Sequence, residues 1–324
     1  MSTHTLCIAP MMEWTDRHYR YLVRLMTKHT RLYTEMITSS ALIHGDKERF
    51  LRFDNSEHPV ALQLGGSDVD EMRQSAILGA QAGYDEININ VGCPSERVQA
   101  GGFGVYLMRQ PKQIAACVTA MQKEIAIPVT VKCRIGVDDD DSYAFLSRFI
   151  DIVSSAGCQT FIIHARKAWL NGLSPKQNRE VPELNYQRVY QLKRYYPQLN
   201  IIINGGIESI EQIHTHLAHV DGVMIGRQAY KHPHFLLEAD HKVYKKPQHA
   251  TSMDDVVIQY ANYVKENLTQ GVPLKSMTKH ILNLYQGSPG AKHWRRHLSE
   301  HAHKAGRGVE LIHEAHELMS RQCA

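Results

Sequence analysis

The chain has 324 residues, of which 43% are hydrophobic and 22% are charged. This composition is typical of a folded globular protein and excludes a mostly disordered chain. The length fits one large domain of about 250 residues and a small second domain. No apolar run reaches the roughly 18 to 20 residues of a membrane span, and the first ten residues lack a secretory pattern. We therefore expect a cytoplasmic protein that does not bind membranes.

The cysteines stand singly in the sequence, without the paired spacing of a zinc site or a disulfide framework. They are Cys7, Cys93, Cys117, Cys133, Cys158 and Cys323. We expect reduced thiols and no bound metal. The histidines at positions 293, 297 and 301 would share one helix face. No acidic or cysteine partner stands out nearby, so they indicate an RNA-facing or solvated surface rather than a metal site.

Positive charge is concentrated near the end of the chain. Residues 241–324 contain twelve Lys and Arg against seven Asp and Glu, and the preceding residues carry a net charge of −1. This asymmetry favours a polyanionic partner. A solvated helical face explains it nearly as well.

Short apolar or β-branched runs recur eight times and predict eight strands. They are Leu6–Ala9, Leu32–Thr34, Val60–Leu64, Glu86–Asn90, Val129–Cys133, Thr160–His164, Ile201–Asn204 and Gly222–Ile225. Helical patterns separate most of them, at Asp68–Ala82, Pro111–Lys123, Asp141–Ala156, Asn185–Tyr196 and Ile210–Ala218. Eight alternating units favour a closed (β/α)8 TIM barrel over an open doubly wound sheet.

The pattern changes after Tyr230. Residues Lys242–His249 resemble a linker, and helices are predicted at Met253–Leu268, Pro273–Tyr285, Ala291–Ala305 and Val309–Met319. We therefore predict a catalytic barrel at residues 1–241 and a small C-terminal helical-bundle domain at residues 242–324.

Glycines follow the last two strands, in Asn204-Gly205-Gly206 and in Gly226-Arg227. In (β/α)8 barrels, backbone amides at these two positions frequently bind phosphate, and an arginine adds a bidentate contact. The alternative is a pair of tight turns that need glycine only for their backbone geometry. The coincidence of both turns favours phosphate.

Polar residues end several other strands. Lys132 lies in a strand that we expect to be buried, so it needs a partner or a chemical role. It suits either a Schiff base or a fixed charge beside an electron-accepting ring. Gln63 and His164 offer hydrogen bonds to such a ring, although either also fits a paired polar group of the core.

Cys93 lies between turn formers in Asn90-Val-Gly-Cys-Pro-Ser, with four glycines nearby. A cysteine kept for packing more often lies within a strand or helix. Its loop position favours a thiol acid or a thiolate nucleophile.

Several strings occur in an order that resembles the tRNA-dihydrouridine synthase family. They are IAPMMEWTDRHYR, ALQLGG, ININVGCPS, VTVKCRIG, FIIHAR, NGGI and the GR at Gly226. The strings HARKAWLNGLSPKQNRE and AKHWRRHLSEH are similar to the A subfamily, which acts on uridines 20 and 20a of the D-loop. The resemblance extends from Ile8 to Arg227 and into the tail.

This resemblance implies a flavoprotein oxidoreductase with bound FMN and with NADPH or NADH as the reductant. The implied FMN contacts are Pro10, Met11, Met12, Gln63, Lys132, His164, Asn204, Gly205, Gly206, Gly226 and Arg227. Hydride would pass from the flavin to C6 of the uridine, and Cys93 would protonate C5. Under this resemblance Lys132 is a flavin contact, which removes the Schiff-base alternative.

A uridine in folded tRNA must turn out of its stack to reach a flavin. The resemblance implies uracil contacts at Asn90, Arg134 and Arg166, and tRNA contacts at Lys176, Arg179, Lys292, Arg295 and Arg296. Trp294 suits stacking on a base or packing between helices. We expect a monomer. The alternatives are a flavin barrel that acts on a free pyrimidine, similar to dihydroorotate dehydrogenase, and a barrel that binds RNA without catalysis.

Overall fold

The computed structural model describes residues 3–250 and 252–320. Its strands are β1 (Leu6–Ile8), β2 (Leu32–Thr38), β3 (Val60–Gly65), β4 (Glu86–Val91), β5 (Val129–Arg134), β6 (Thr160–His164), β7 (Asn200–Asn204) and β8 (Gly222–Ile225). Its first helices are α1 (Arg17–Met26), α2 (Ser39–His44), α3 (Lys47–Leu51), α4 (Val69–Gln81), α5 (Glu96–Ala100), α6 (Pro111–Gln122), α7 (Tyr143–Ser155), α8 (Tyr186–Tyr195) and α9 (Ile210–Leu217). The others are α10 (Arg227–Lys231), α11 (Phe235–Lys242), α12 (Met253–Thr269), α13 (Leu274–Thr278), α14 (Ala291–His301) and α15 (Glu310–Ser320).

The strands form one parallel sheet in the order β1-β8-β7-β6-β5-β4-β3-β2. Arg31 bridges the two ends of this order. Its amide donates to the Leu6 carbonyl at 3.0 Å, and its carbonyl accepts from the Ile8 amide at 2.9 Å. The sheet therefore curves into a nearly closed (β/α)8 barrel, which confirms the predicted fold.

The described residues separate into two compact units. One contains Met1–Met12 and Arg31–Gly226, and therefore all eight strands. The other contains Glu13–Thr30 and Arg227–Ala324 and is helical. Helices α1, α10 and α11 thus group with the tail helices, although α1 and α10 precede residue 242 and α11 ends at it. The functional division into residues 1–241 and 242–324 stays a prediction.

Local sequence signals explain where the barrel helices begin. The side chains of Asp68, Ser142, Asn185 and Ser209 accept hydrogen bonds from amides in the first turns of α4, α7, α8 and α9. Pro111 occupies the first turn of α6, where its missing N–H has no partner to lose. These caps satisfy amides that no helical carbonyl can reach.

All eight predicted strands are present, and β2 differs most. It ends at Thr38 rather than Thr34, and its pairing with β3 shifts register between Tyr33 and Met36. Such an irregularity interrupts the alternation of inward and outward residues that the sequence pattern depends on.

Helix α13 is shorter than the predicted helix at Pro273–Tyr285. Beyond Thr278 the chain continues as turns in which the amides of Ile281 and Leu284 bond three residues back. The Trp294 indole donates to the Ile281 carbonyl at 2.8 Å. The same carbonyl also accepts from the Leu284 amide, three residues ahead, whereas a continuous α-helix would pair it with the amide four residues ahead.

An acidic residue anchors the start of α1 within the helical unit. Asp16 accepts hydrogen bonds from the amides of His18 and Tyr19, and its other contacts are Lys279 at 2.9 Å and His280 at 2.8 Å. Burial alone would raise the pKa of Asp16, but hydrogen bonds and charge from its partners hold that pKa well below its ordinary range. Asp16 is therefore ionised at neutral pH.

Candidate active site

Parallel strands bring the predicted polar residues to one end of the barrel, because all eight strands enter it in the same direction. The register pairs Asn90 with Lys132, Arg134 with His164, and His164 with Asn204. These five residues come from β4, β5, β6 and β7. The structure therefore assembles them at the carboxyl ends of neighbouring strands.

Cys93 follows β4 and is half-exposed, while Cys7, Cys117, Cys133 and Cys158 are buried. Its amide donates to Asn90 Oδ1 at 3.0 Å, and its Sγ lies 3.6 Å from Ser95 Oγ. Its carbonyl accepts from the backbone of the following loop at 3.0 Å. Cys93 is thus a partly exposed cysteine on a loop that side-chain and backbone hydrogen bonds hold in place, whereas Cys323 lies outside the described residues.

Gly104 lets that loop fold closely over Cys93. Its φ is +78°, and an added Cβ would lie 2.3 Å from Val98 and 2.5 Å from the Cys93 carbonyl oxygen. Only glycine fits this close approach.

Lys132 projects from β5 and donates to Asn204 Oδ1 at 3.2 Å. Burial and the positive charge of Arg134 lower the pKa of Lys132 to about 8. The amine therefore still carries a proton at neutral pH. It offers positive charge to an anionic group at the strand ends.

His164 closes β6 among three cations. Burial, followed by the charges of Arg134, Lys132 and Arg166, lowers the pKa of His164 well below its ordinary value. The ring is neutral at physiological pH. Its Nδ1 is buried and has no hydrogen-bond partner among the residues that the structure describes.

Arg134 is 4% exposed, and its guanidinium donates hydrogen bonds to three backbone carbonyls of the loops. It donates to Gly92 at 2.9 Å, to Lys167 at 3.0 Å and to Asn178 at 2.9 Å. Burial lowers the pKa of Arg134 to about 10, which leaves the group charged at neutral pH. These contacts connect the Cys93 loop with the segment after β6.

Arg166 donates to the Pro182 carbonyl within that same segment. Both arginines predicted to contact uracil therefore also fix loops. Their contact with uracil stays a prediction.

The turn after β7 needs glycine for two reasons. Gly205 and Gly206 have φ values of +118° and +69°, and a Cβ on Gly206 would lie 2.6 Å from Leu184. Turn geometry thus accounts for these glycines. Their amides donate no hydrogen bond to any described residue.

Gly226 differs from Gly205 and Gly206 in its surroundings. A Cβ there would meet only Ala9 at 3.7 Å and Met11 at 3.8 Å, which is ordinary contact. Its own protein surroundings therefore do not require glycine. Arg227 follows it directly and begins α10.

The residues after β1 lie near the barrel interior. Met11 packs against an apolar cluster that includes Ala9 and Ile162, Pro10 is half-buried, and Met12 is 59% exposed. Met12 thus offers an apolar surface to solvent or to a ligand.

Gln63 is 1% exposed and hydrogen bonded at both ends of its amide. Its Nε2 donates to Asn88 Oδ1 at 2.7 Å, and its Oε1 accepts from Asn90 Nδ2 at 2.9 Å. Sequence reasoning assigned no role to Asn88 or Glu86. Polar residues at the alternate positions 86, 88 and 90 of a buried strand were the available signal, because alternate residues point to the same face.

The basic residues predicted to bind tRNA are exposed in both compact units. Lys176 directly precedes a short 3-10 helix, Gln177–Arg179, in the barrel unit, and Arg179 is the last residue of that helix. In the helical unit, Lys292, Arg295 and Arg296 are exposed on α14.

Trp294 is fully buried and stacks edge-on against Tyr285 at 5.1 Å, so it packs between helices and is not available to a base. The histidine row on α14 also forms protein contacts: His297 bonds Glu314 at 2.9 Å and stacks on His301. No group of three metal-binding side chains occurs within residues 3–250 and 252–320. In that same part of the chain, every helix is too short or too polar to cross a membrane.

Comparison with known proteins gives consistent matches over almost the whole chain. The family model described as dihydrouridine synthase (Dus) matches residues 7–320. A Shewanella oneidensis protein is 54% identical over 313 residues, which cover 97% of this chain and 93% of the relative. A Vibrio vulnificus protein is 54% identical over 316 residues, covering 97% of each chain, and a Synechocystis protein is 53% identical over 314 residues, covering 97% and 94%. All three relatives are named tRNA-dihydrouridine(20/20a) synthase. The chain therefore belongs to the dihydrouridine synthase family.

Proposed function

We propose that this protein reduces uridine to 5,6-dihydrouridine at positions 20 and 20a of the tRNA D-loop, with FMN as cofactor and NADPH or NADH as reductant. The observation that carries the proposal is the partly exposed Cys93, which follows β4 at the end of the barrel where β4 to β7 carry polar residues. The names of relatives that are 53 to 54% identical over nearly the whole chain support the substrate and the positions.

The residues present fit FMN. The buried Nδ1 of His164 has no described partner, and the amides of Gly205 and Gly206 are available to a phosphate. The open space beside Gly226 allows an oxygen to approach its backbone. The residues that would hold FMN are Pro10, Met11, Met12, Gln63, Lys132, His164, Asn204, Gly205, Gly206, Gly226 and Arg227.

When bound, reduced FMN supplies a hydride to C6 of the uracil ring. Cys93 supplies the matching proton to C5, so that the C5=C6 double bond gains two hydrogens. Lys132 carries positive charge at neutral pH and favours an anion beside it. Neutral His164 donates from one ring nitrogen and accepts at the other.

A uridine within folded tRNA has to leave its stack before it reaches a barrel. Exposed basic side chains supply backbone affinity that does not depend on sequence. We assign this role to Lys176, Arg179, Lys292, Arg295 and Arg296. The tail helices act as the tRNA-binding domain, and a cytoplasmic location and a monomeric state complete the proposal.

The test combines the visible spectrum of the purified protein with turnover of unmodified tRNA. Under NADPH, a flavin-containing preparation should add two hydrogens, measured by mass, to D-loop uridines. Cys93→Ala should abolish this gain and keep the flavin spectrum. Cys117→Ala is the matched control, because it removes a buried thiol on α6, and it should keep activity.

Two results would overturn the proposal. A flavoprotein that reduces free pyrimidines and leaves tRNA unchanged is an enzyme of a different substrate class. A protein that binds tRNA and cannot be reconstituted with FMN has no flavin chemistry.

A further inference from the structure

A continuous chain of side-chain hydrogen bonds crosses the barrel interior from Glu86 to the Cys93 loop. Glu86, Asn88 and Asn90 are alternate residues of β4, and Thr130 and Gln63 flank them from β5 and β3. The links are Thr130 Oγ1 to Glu86 Oε1 at 2.6 Å, Asn88 Nδ2 to Thr130 Oγ1 at 2.8 Å, Gln63 Nε2 to Asn88 Oδ1 at 2.7 Å, and Asn90 Nδ2 to Gln63 Oε1 at 2.9 Å. The amides of Gly92 and Cys93 complete it by donating to Asn90 Oδ1 at 3.1 and 3.0 Å.

One end of this chain can only accept hydrogen bonds. Glu86 is fully buried and faces Arg31 at 3.3 Å, His4 at 2.6 Å and the Tyr33 hydroxyl at 2.9 Å. Burial alone would raise the pKa of Glu86, but the hydrogen bond from His4 and the charges of His4 and Arg31 hold it below the ordinary value. An ionised carboxylate has no proton to donate.

The other end can only donate, because it consists of two backbone N–H groups. Between these ends each group has one satisfied orientation. The Thr130 hydroxyl donates its single hydrogen to Glu86, so its oxygen must accept from the Asn88 amide nitrogen. The Asn88 oxygen then faces Gln63, and the Gln63 oxygen faces Asn90. The same logic turns the Asn90 oxygen toward the Cys93 loop.

We propose that Glu86, Thr130 and Asn88 are positioning residues that fix the orientation of Asn90 and, through it, the Cys93 loop. Both lone pairs of Asn90 Oδ1 are used, and one Nδ2 hydrogen is bound to Gln63. The remaining hydrogen makes Asn90 a donor toward the substrate, which a uracil carbonyl oxygen can accept. This substrate assignment rests on the proposed function.

The decisive comparison is Thr130→Val with Thr130→Ser in the flavin-loaded protein. Valine has nearly the shape of threonine and removes the hydroxyl, while serine keeps it. We expect Thr130→Val to slow single-turnover oxidation of the reduced flavin by unmodified tRNA at least tenfold, with tRNA affinity within twofold. Thr130→Ser should restore the rate to within threefold of wild type.

Amide hydrogen exchange gives a readout that does not depend on the reaction. In Thr130→Val the amides of Gly92 and Cys93 should exchange at least tenfold faster, while those of β8 remain unchanged. Tyr33→Phe is the matched control: it removes a hydroxyl that donates to Glu86 at 2.9 Å and leaves the chain intact. It should keep the wild-type rate and exchange.

Wild-type turnover and wild-type exchange in folded Thr130→Val would overturn the inference. If that variant does not fold, Thr130→Ala removes the same hydroxyl without placing a methyl group beside Glu86, and wild-type behaviour there counts equally against it. If wild-type protein leaves tRNA unreduced, the proposed function fails. The exchange experiment still tests the positioning role in that case.

Discussion

Replacing Gly226 with alanine tests whether glycine is needed at this position to make room for a ligand or to allow the backbone turn. The added Cβ would lie 3.7 Å from Ala9 and 3.8 Å from Met11, and the φ of Gly226 is not in the left-handed region. The free energy of unfolding should therefore change by less than about 1 kcal/mol. If a phosphate oxygen approaches this backbone, the methyl group occupies its place.

The loss of one hydrogen bond to a charged oxygen is worth about 1.5 to 3 kcal/mol, which is roughly a ten- to hundredfold increase in the Kd for FMN. Titration of the apoprotein with FMN, followed by fluorescence, measures this increase. Urea unfolding of the same variant measures stability separately.

Gly206→Ala is the contrasting variant. Its φ of +69° and the 2.6 Å approach to Leu184 should destabilise the fold by about 2 to 4 kcal/mol. Wild-type FMN affinity in Gly226→Ala would refute the phosphate assignment at β8. A stability loss in Gly226→Ala equal to that of Gly206→Ala would refute the distinction between the two glycines.

Three further predictions concern the helical unit. Trp294→Ala should lower the free energy of unfolding by about 3 to 5 kcal/mol in urea titration, because a fully buried ring is lost. Lys292→Ala should change the free energy of unfolding by less than about 0.5 kcal/mol. It should also reduce the slope of log affinity for tRNA against log salt concentration by about 0.7 to 0.9. The control is Lys265→Ala, which removes an exposed lysine of α12 and should leave that slope unchanged. Since the folded pKa of Asp16 is lowered, its contribution to stability is complete above its unfolded pKa near 4 and disappears as the pH falls toward the folded value. Asp16→Asn should accordingly unfold with a weaker dependence on pH below about 4, and an unchanged dependence would count against the ion pair.

The strand ends explain how much of the site the sequence predicts. Short β-branched runs alternate with helical periodicity, and these local patterns determine a parallel barrel whose carboxyl ends carry the polar residues. Lys132, His164 and Cys93 could therefore be selected from their positions relative to those runs. Family resemblance then supplied their chemistry.

Longer-range pairing was not visible in the sequence. The grouping of α1 with the tail helices depends on contacts such as Asp16 with Lys279, which are far apart along the chain. Similarly, the sequence around Trp294 is compatible with stacking on a base or with packing between helices. Only the burial of Trp294 against Tyr285 in the structure decides between these two roles.

The division between sequence and tertiary structure has one physical reason. Periodicity and turn chemistry act over a few residues, so the sequence by itself determined the strand order, the barrel and the candidate Cys93. Hydrogen-bond direction depends on which donors and acceptors meet from different strands. Only the folded barrel joins Glu86, Thr130 and Gln63 in one series of hydrogen bonds, and only this series decides the orientation of the Asn90 amide.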